Sequence, residues 1–225
     1  MPTGIVTGAS RGLGLALTRA LSAAGWRLVV DARDGAALER ATAGLDGVVA
    51  LSGDVADDRH RQALATEAGE SIDLLVNNAS VLGPSPQPPL ARYPLTELER
   101  VYAVNVLAPL ALFQAALPRL TRGACVLNIT SDAAVEPYPG WGGYGSSKAA
   151  LEQLSAILAA EHPDLRIHAV DPGDMRTQLQ QEAFPGEDIS DRPPPEESVP
   201  GLLALIGSDQ ASGRYRTQDL GAVRG

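Results

Sequence analysis

Tyr144 and Lys148 are the two residues of this chain whose types and spacing most directly suggest chemistry. They stand in the run Tyr-Gly-Ser-Ser-Lys, at the head of an Ala- and Leu-rich stretch that predicts a helix. Residues four apart lie on one face of a helix, so the phenol and the ammonium group are neighbours. A nearby positive charge lowers the pKa of a phenol, which can then act as a general acid or base. An isolated pair also fits an ordinary solvated helix face, so the surrounding elements decide its role.

Those elements are apolar, β-rich runs that alternate with Ala- and Leu-rich helical runs. Continuous apolar strands between helices are typical of a parallel sheet with helices on both faces, so we predict a doubly wound α/β fold. The predicted strands are 4–7, 27–31, 48–51, 72–76, 125–129 and 166–170. The predicted helices are 13–24, 35–43, 57–68, 96–120 and 145–161. Ligands of such folds bind at the carboxyl ends of the strands.

Composition narrows the class of protein. The 225 residues are 44% hydrophobic and carry a formal net charge of −9. This is enough for the core of one substantial domain, and the negative charge disfavours binding to nucleic acid. The single cysteine, Cys125, falls in a predicted buried strand and can form no disulfide within the chain. The chain begins Met-Pro-Thr and leads directly into a strand, without the pattern of a signal peptide.

Two further expectations are negative. No apolar run approaches the roughly 20 residues that span a bilayer, so we expect a soluble, cytoplasmic protein without a membrane segment. His60, His162 and His168 have no metal-ligand spacing, so we expect no metal site. All three are predicted to be structural, with His60 and His162 in exposed segments.

Two proline-rich stretches, residues 83–94 and 184–200, interrupt the alternation. Each follows a strand-end motif and is expected near the ligand crevice, although each also fits a stiff surface loop. The second is acidic, and residues 174–200 are a candidate substrate loop or lid. Since the alternation resumes after the first stretch and only a tail follows the second, we expect one domain over residues 1–225.

A glycine-rich turn, Thr7-Gly-Ala-Ser-Arg-Gly-Leu-Gly14, lies at the first strand-to-helix junction. Glycines permit the tight turn there and let the backbone approach a pyrophosphate at the N-terminus of the helix. The residues predicted to bind the cofactor in this turn are Gly8, Ser10, Arg11, Gly12, Leu13 and Gly14.

The spacing Gly-x-x-x-Gly-x-Gly, together with Tyr-x-x-x-Lys, resembles the short-chain dehydrogenase/reductase family, whose domain is of the Rossmann type. Further matches follow in the family's order over roughly residues 3–180. The catalytic residues that the resemblance implies are Asn105, Ser131, Tyr144 and Lys148. The further cofactor contacts that it implies are Asp54, Val55, Asn78, Ala79, Tyr144, Lys148, Pro172, Gly173, Met175 and Thr177.

The resemblance implies an NAD(P)-dependent enzyme that interconverts a carbonyl and an alcohol on a small or medium organic substrate. Tyr144 would exchange a proton with the substrate oxygen, and Ser131 would polarise that oxygen. Lys148 would lower the pKa of Tyr144 and bond the nicotinamide ribose. Asn105 would hold a backbone kink and a water that links Lys148 to solvent.

The end of the second strand distinguishes NADP from NAD. The position that usually holds Asp in NAD enzymes is Ala32, while Asp31 lies one residue earlier and points to the opposite face. Arg33 and Arg11 offer two guanidiniums for a 2′-phosphate, so we predict NADP(H). If the register slips by one residue, Asp31 contacts the ribose and the cofactor is NAD(H).

The chain also departs from the family pattern. Ser80 replaces the glycine that most often follows Asn-Asn-Ala, which would change the turn beside the nicotinamide. The tail lacks the usual final strand ending in Asp-Gly-Gly, with residues 212–216 as its nearest equivalent, so a homodimer is expected rather than a tetramer. The candidate substrate contacts are Tyr138, Trp141, Met175 and Phe184.

Two other functions stay open at this stage. A non-catalytic NADP(H) sensor of the same fold is one, although such relatives commonly lack the Tyr/Lys pair. An epimerase or dehydratase of sugar nucleotides is the other, although those chains tend to be longer and use a Gly-x-x-Gly-x-x-Gly turn.

Overall fold

A computed structural model describes residues 1–220, which contain one parallel sheet. Its strands are β1 (Thr3–Val6), β2 (Arg27–Ala32), β3 (Val48–Ser52), β4 (Ile72–Asn77), β5 (Leu120–Ile129), β6 (Arg166–Asp171) and β7 (Gly213–Arg216). They follow the order β3-β2-β1-β4-β5-β6-β7, and all neighbours are parallel. The strand order reverses between β1 and β4, which is where doubly wound folds bind their ligands. The predicted fold class is therefore confirmed.

Helices cover both faces of this sheet. They are α1 (Gly12–Ala23), α2 (Gly35–Thr42), α3 (Asp58–Ala68), α4 (Leu95–Tyr102), α5 (Ala108–Ala116), α6 (Gly142–Glu161), α7 (Gln178–Ala183), α8 (Val199–Gly207) and α9 (Thr217–Leu220). Consecutive strand residues point to opposite faces, so Ile5 joins the apolar cluster under α3 and α5 while Val6 joins the one under α1 and α8. The two clusters fix the strands from both sides.

The single long helix predicted over residues 96–120 is instead interrupted. A π-helical turn, Ala103–Leu107, separates α4 from α5, and a 3-10 turn, Leu117–Arg119, ends the run. β5 then begins at Leu120, five residues before the predicted start. The residues between, Thr-Arg-Gly-Ala, are not an apolar run, so the hydrophobic pattern could not mark the beginning of this strand.

The run Leu95–Arg119 also bears on the expectation that the chain has no membrane span. Among the described residues it is the one helical run long and apolar enough to cross a bilayer, so the sequence-based statement that no run approaches this length is wrong. Half of its most apolar window is buried inside the fold, and Leu112 and Phe113 belong to the apolar core. A buried core helix passes the same length and composition test, so this is weak evidence for a membrane segment.

The tail contains a short regular strand. Residues 213–216 form β7, which pairs with β6 so that Arg214 lies opposite Ala169 and Arg216 lies opposite Asp171. The nearest equivalent of the family's final strand, predicted at residues 212–216, is therefore a strand, although it does not end in Asp-Gly-Gly. A four-residue edge strand with alternating arginines has too few apolar residues to give a strand pattern.

His168 and Cys125 lie in the core, as the sequence predicted. Burial raises the pKa of the Cys125 thiol to about 12 and lowers the pKa of His168 to about 4. Both ring nitrogens of His168 lack a hydrogen-bond partner among the described residues, and its ring packs edge-on against Tyr215 at 5.4 Å. Across residues 1–220, no group of three or more His, Cys, Asp or Glu side chains is placed to hold a metal ion.

The buried histidine makes stability depend on pH. His168 keeps its neutral form in the fold, whereas the unfolded chain takes up a proton once the pH falls below the ordinary histidine pKa. Stability is therefore lost as the pH falls from about 6.5 towards 4, by roughly 2 kcal/mol at pH 5. We expect the melting temperature to fall by about 5 °C less between pH 8 and pH 5 in His168→Leu than in the native protein. Parallel melting profiles for the two proteins would contradict this assignment.

Candidate active site

The carboxyl ends of the central strands open into one cavity of about 1210 Å³. This exceeds the roughly 300–1,000 Å³ of pockets for drug-sized ligands, so a dinucleotide and a small substrate can share it. Every predicted catalytic and cofactor residue lines the cavity except Gly14 and Asn105, which lie behind its wall. The residues predicted from separate motifs are thus brought together.

The glycine turn can hold a pyrophosphate because its glycines have no side chain to keep a ligand away from the backbone, and because the turn packs closely against its neighbours. Gly8 has a φ of 70°, a conformation that favours glycine. A Cβ on Gly14 would lie 2.4 Å from the Gly8 carbonyl oxygen and 2.5 Å from Asn78 Nδ2. Leu13 is buried in the core and anchors the start of α1. Only glycine at position 14 lets the helix begin this close to the turn.

Thr7 ties this turn to the end of β4. Its hydroxyl donates to the Val76 carbonyl at 3.2 Å and accepts from the N–H groups of Asn78 and Ala79, both at 3.0 Å. In return, Asn78 Nδ2 donates to the carbonyls of Thr7 and Gly8 at 2.8 and 3.2 Å. Thr7 opens the glycine motif but was not predicted as a site residue; a polar side chain at the end of an apolar strand is the signal that could have identified it.

Asp31 supports the same turn from β2. It is 1% exposed, and its carboxylate accepts from Gly8 N–H at 2.7 Å and contacts His60 Nε2 at 2.9 Å. The prediction that His60 is exposed is wrong, since its side chain is only 10% exposed. The ring fits beside Gly53, where a Cβ would lie 2.2 Å from His60 Nδ1. The local sequence of α3 could not predict this contact, because the partner of His60, Asp31, lies on β2.

The residues expected near the adenosine half lie along the ends of β2 and β3. Ala32 is the last residue of β2, and the exposed Arg33 follows it at the cavity rim. Arg11 is also exposed and donates a hydrogen bond to the Gln178 side chain. Asp54 caps the next turn by accepting from Ala56 N–H at 2.9 Å, and Val55 beside it is buried. The two arginines are therefore free of carboxylate partners among the described residues.

Tyr144 and Lys148 lie on the first turns of α6, which begins three residues before its predicted start. Both are buried, at 7% and 2% exposure, and Lys148 Nζ lies 5.3 Å from the centre of the Tyr144 ring. Nζ donates to the carbonyl of Ile129, the last residue of β5, at 2.8 Å. The helix is thus anchored to the strand end that precedes Ser131.

Burial governs the protonation of this pair. It raises the pKa of Tyr144 and lowers the pKa of Lys148 to about 7. The neighbouring Ser80 hydroxyl lowers the Tyr144 pKa, while the charges of Asp171 and Asp132 raise it. The expected lowering of the phenol pKa by Lys148 is therefore not found in the protein alone, because desolvation disfavours the charged forms of both groups and the pKa of Tyr144 is raised. The phenol is the favoured form, and it is the form that can donate a proton.

Ser131 holds its hydroxyl proton towards a neighbouring carboxylate that the sequence did not single out. Its Oγ donates to Asp132 Oδ1 at 2.9 Å and accepts from Ala133 N–H at 3.2 Å. The other oxygen of Asp132 accepts from the Tyr138 hydroxyl at 3.0 Å. A hydroxyl has one proton, so Ser131 must turn from Asp132 before it can donate to a substrate oxygen.

Asn105 stands in the π-helical turn, so the backbone kink expected at this position is present. Its Oδ1 accepts from Val81 N–H at 2.9 Å and from the Ser80 hydroxyl at 3.2 Å. Its Nδ2 donates to the Val81 carbonyl at 2.9 Å and to Ser147 Oγ at 3.0 Å. The side chain therefore joins α6 to the segment after β4 and holds Ser80 beside Tyr144.

The segment after β6 closes the other side of the cavity. Asp171 Oδ1 accepts from Gly173 N–H at 3.0 Å, which fixes the turn at Pro172 and Gly173. Thr177 caps α7 by accepting from Gln180 N–H at 3.3 Å, and Met175 lines the cavity before it. These residues stand where the sequence placed the nicotinamide end of the cofactor.

An aromatic wall, made of Tyr138, Trp141 and Phe184, borders the region beside Tyr144. The Trp141 ring lies 5.9 Å from both the Tyr144 and the Phe184 rings. The Arg192 guanidinium covers the outer face of Phe184 at 4.6 Å. All of the predicted substrate contacts therefore line the cavity, and they make this end of it largely apolar.

Comparison with known proteins agrees with this geometry. The sequence model of the family described as short chain dehydrogenase matches residues 3–188. The benzil reductase of Saccharomyces cerevisiae, described as (S)-benzoin forming, is 33% identical in an alignment of 192 residues that covers 79% of this chain and 73% of that protein. The sepiapterin reductase of Meriones unguiculatus is 33% identical in an alignment of 199 residues that covers 79% of this chain and 75% of that protein.

Solved structures give the same result. A short chain dehydrogenase from Pseudomonas syringae superposes with a TM-score of 0.90 at 30% identity, covering 96% of this chain and 94% of that one. One from Shigella flexneri, solved with NADP, has a TM-score of 0.88 at 26% identity, covering 96% and 97%. The chain therefore belongs to the short-chain dehydrogenase/reductase family of nicotinamide-dependent oxidoreductases.

Proposed function

We propose that this protein is an NADP(H)-dependent oxidoreductase that interconverts a carbonyl and an alcohol on a small or medium organic substrate. The observation that carries this proposal is that Ser131, Tyr144 and Lys148 line the same cavity as the glycine turn. A nicotinamide cofactor whose pyrophosphate is held by that turn would supply or accept the hydride at the substrate carbon.

In reduction, the Tyr144 phenol donates its proton to the carbonyl oxygen as that oxygen gains negative charge. Ser131 turns from Asp132 and donates a second hydrogen bond to the same oxygen, which stabilises the charge. Lys148 lies close enough to Tyr144 to stabilise the phenolate that remains. Since the pKa of Lys148 is about 7, this side chain can exchange a proton at neutral pH and so take part in restoring the phenol.

The preference for NADP(H) is supported by the way Asp31 is used. Its two oxygens are engaged by Gly8 N–H and by His60, so it supports the glycine turn, although it also lines the cavity. Ala32 ends the strand without a polar group, and Arg33 stands exposed at the rim. A guanidinium there suits a 2′-phosphate, and a related structure contains NADP.

The substrate is proposed to carry an apolar or aromatic group next to the reacting carbonyl. The aromatic wall faces the space beside Tyr144, and flat rings pack well against such side chains. Two relatives are named as reductases of benzil and of sepiapterin, which is compatible with a ring-bearing carbonyl compound.

We further propose that the chain forms one domain, of which residues 221–225 lie outside the described part, and that residues 174–200 act as a substrate lid. Residues 174–180, Phe184 and Pro195 line the cavity, and Arg176 N–H donates a hydrogen bond to the Pro193 carbonyl at 2.8 Å, which closes the segment on itself.

We expect a homodimer through the α4–α5 face, where Leu95 and Leu107 are 71% and 59% exposed. Sedimentation velocity would measure that assembly directly. We also expect the protein to act in the cytoplasm.

The first prediction from the proposed function concerns the proton donor. Tyr144→Phe should lower kcat at least about 100-fold, because the phenyl ring can neither give nor take the proton. NADPH binding, measured by calorimetry, should survive. The assay follows NADPH absorbance with benzil and other ring-bearing carbonyl compounds, and Tyr102→Phe on α4 is the matched control.

Near-native turnover in Tyr144→Phe would refute the role of the phenol. If the native protein binds NADPH tightly but turns over none of the compounds, a sensor of NADP(H) becomes the better explanation.

The second prediction concerns the 2′-phosphate. Arg33→Ala should weaken NADPH binding about tenfold and leave NADH binding almost unchanged, because one charge-assisted hydrogen bond is lost. Arg40→Ala, an exposed arginine on α2, should change neither. A higher kcat/KM with NADH than with NADPH in the native protein would show that the preference is for NAD(H).

The third prediction concerns the lid. Phe184→Ala should raise KM for the carbonyl compound about tenfold, because the substrate loses an aromatic contact, while NADPH affinity stays unchanged. Ile157→Ala, an exposed large side chain on α6, serves as the control. An unchanged KM in Phe184→Ala would argue against a lid that contacts the substrate.

A further inference from the structure

Arg214, on the edge strand β7, contacts three elements at the carboxyl edge of the sheet, where the catalytic residues lie. Its Nε contacts Glu152 Oε1 on α6 at 3.0 Å. Its Nη2 contacts Asp171 Oδ2 at the end of β6 at 3.3 Å and donates to the carbonyl of Ser131, after β5, at 3.4 Å. One planar guanidinium thus joins a helix and two strand ends, which a flexible ammonium group could not do with the same geometry.

Each of these contacts leads directly to a catalytic or cofactor residue. Glu152 follows Lys148 by one helical turn on α6. The same Glu152 oxygen accepts from the Thr130 hydroxyl at 2.7 Å, next to Ser131 in the chain. Asp171 holds Gly173 N–H at 3.0 Å, in the turn expected at the nicotinamide. The guanidinium therefore lies where small displacements would move Ser131, Lys148 and Gly173 relative to one another.

The same contact places a positive charge against the carboxylate of Asp171. Asp171 is buried, and its charge is one of the two carboxylate charges that raise the pKa of Tyr144. The charged groups that face Tyr144 are Lys148 from its own helix, Asp171 from β6 and Asp132 from the turn after β5. Removal of Arg214 would leave Asp171 less compensated and would favour the neutral phenol further.

Arg216 provides an internal comparison, since it belongs to the same strand. It contacts Asp171 Oδ2 at 3.6 Å through Nε, and its side chain is 51% exposed against 29% for Arg214. It has the same charge and a similar position, but among residues 1–220 its one ion pair is with Asp171. The two residues therefore separate general charge on β7 from the three-way contact of Arg214.

We propose that Arg214 is a positioning residue for the catalytic centre, which holds Ser131, the Tyr144 helix and the turn at Gly173 in their relative places and compensates the charge of Asp171. The inference rests on the proposed oxidoreductase function for its kinetic consequences. Its structural part, the joining of β5, β6 and α6 by one guanidinium, can be measured without turnover. Ser131 and Tyr144 remain the groups that touch the substrate.

The test compares Arg214→Met, Arg214→Lys and Arg216→Met with the native protein, using NADPH and benzil. Arg214→Met should lower kcat about tenfold and change KM for NADPH less than about threefold, since it misplaces the reacting groups more than it removes cofactor contacts. The pH at which Tyr144 titrates in the rate profile should move to higher pH by roughly half a unit. Arg214→Lys should keep the native pH profile but recover only part of kcat. Arg216→Met also removes a positive charge from Asp171, so it should share part of the pH shift but keep the native kcat.

Hydrogen exchange of the same variants gives a readout that does not need activity. Arg214→Met should speed amide exchange at residues 130–134 and at Gly173, and Arg216→Met should not. If the native protein binds NADPH but reduces no carbonyl compound, the proposed function fails while this exchange difference still supports the positioning role. If Arg214→Met and Arg216→Met agree in kcat, pH profile and exchange, the proposal is overturned. Should Arg214→Met fail to fold, the same comparison between Arg214→Lys and Arg216→Met decides, through kcat and exchange.

Discussion

The buried ammonium group of Lys148 has no carboxylate partner among the described residues, and the arrangement of the catalytic residues depends on holding it in place. Lys148 is 2% exposed and, among residues 1–220, it donates its hydrogen bond to the Ile129 carbonyl. Burying such a charge is costly, and this desolvation lowers the pKa of Lys148 to about 7. The position is maintained only because α6 is fixed against the end of β5 by other contacts.

Those contacts form a buried polar row beneath Lys148. Asn77 Nδ2 donates to Asn128 Oδ1 at 2.8 Å, and Asn128 Nδ2 donates to Ser155 Oγ at 2.8 Å. The row joins β4, β5 and α6, and all three residues are buried, so a shift of the helix would leave amide groups unpaired inside the core. Asn105 adds a fourth element through its bond to Ser147. The stability cost at Lys148 is thus offset by satisfied polar groups around it.

The sequence predicts the strands, the sheet and the motif residues because these depend on local patterns. Apolar runs bounded by glycine and polar residues mark β1, β2, β3, β4 and β6 to within one residue. The start of β5 was missed because a strand end without apolar residues has no pattern. The motif residues were located because each stands at a recognisable strand end or helix start, and the cavity brings almost all of them together.

What the sequence could not give are contacts between distant residues of ordinary type. His60 looks like a solvated helix residue until β2 places Asp31 against it, 29 residues away in the chain. Arg214 is separated from Asp171 by 43 positions and from Glu152 by 62, so no local spacing records the contact. Such pairings follow from the strand order and register, and are visible only once the sheet is assembled.

Some contacts between distant residues act on Tyr144. Ser80 lowers the pKa of the phenol, Asp132 and Asp171 raise it, and Arg214 opposes the charge of Asp171. Three of these four residues were not singled out in the sequence, and the fourth, Ser80, stands where the family pattern usually has glycine. The motifs therefore place the phenol and the cofactor turn, whereas residues outside the motifs set how firmly the phenol holds its proton. Family membership consequently fixes the type of reaction more tightly than the pH range over which this chain can carry it out.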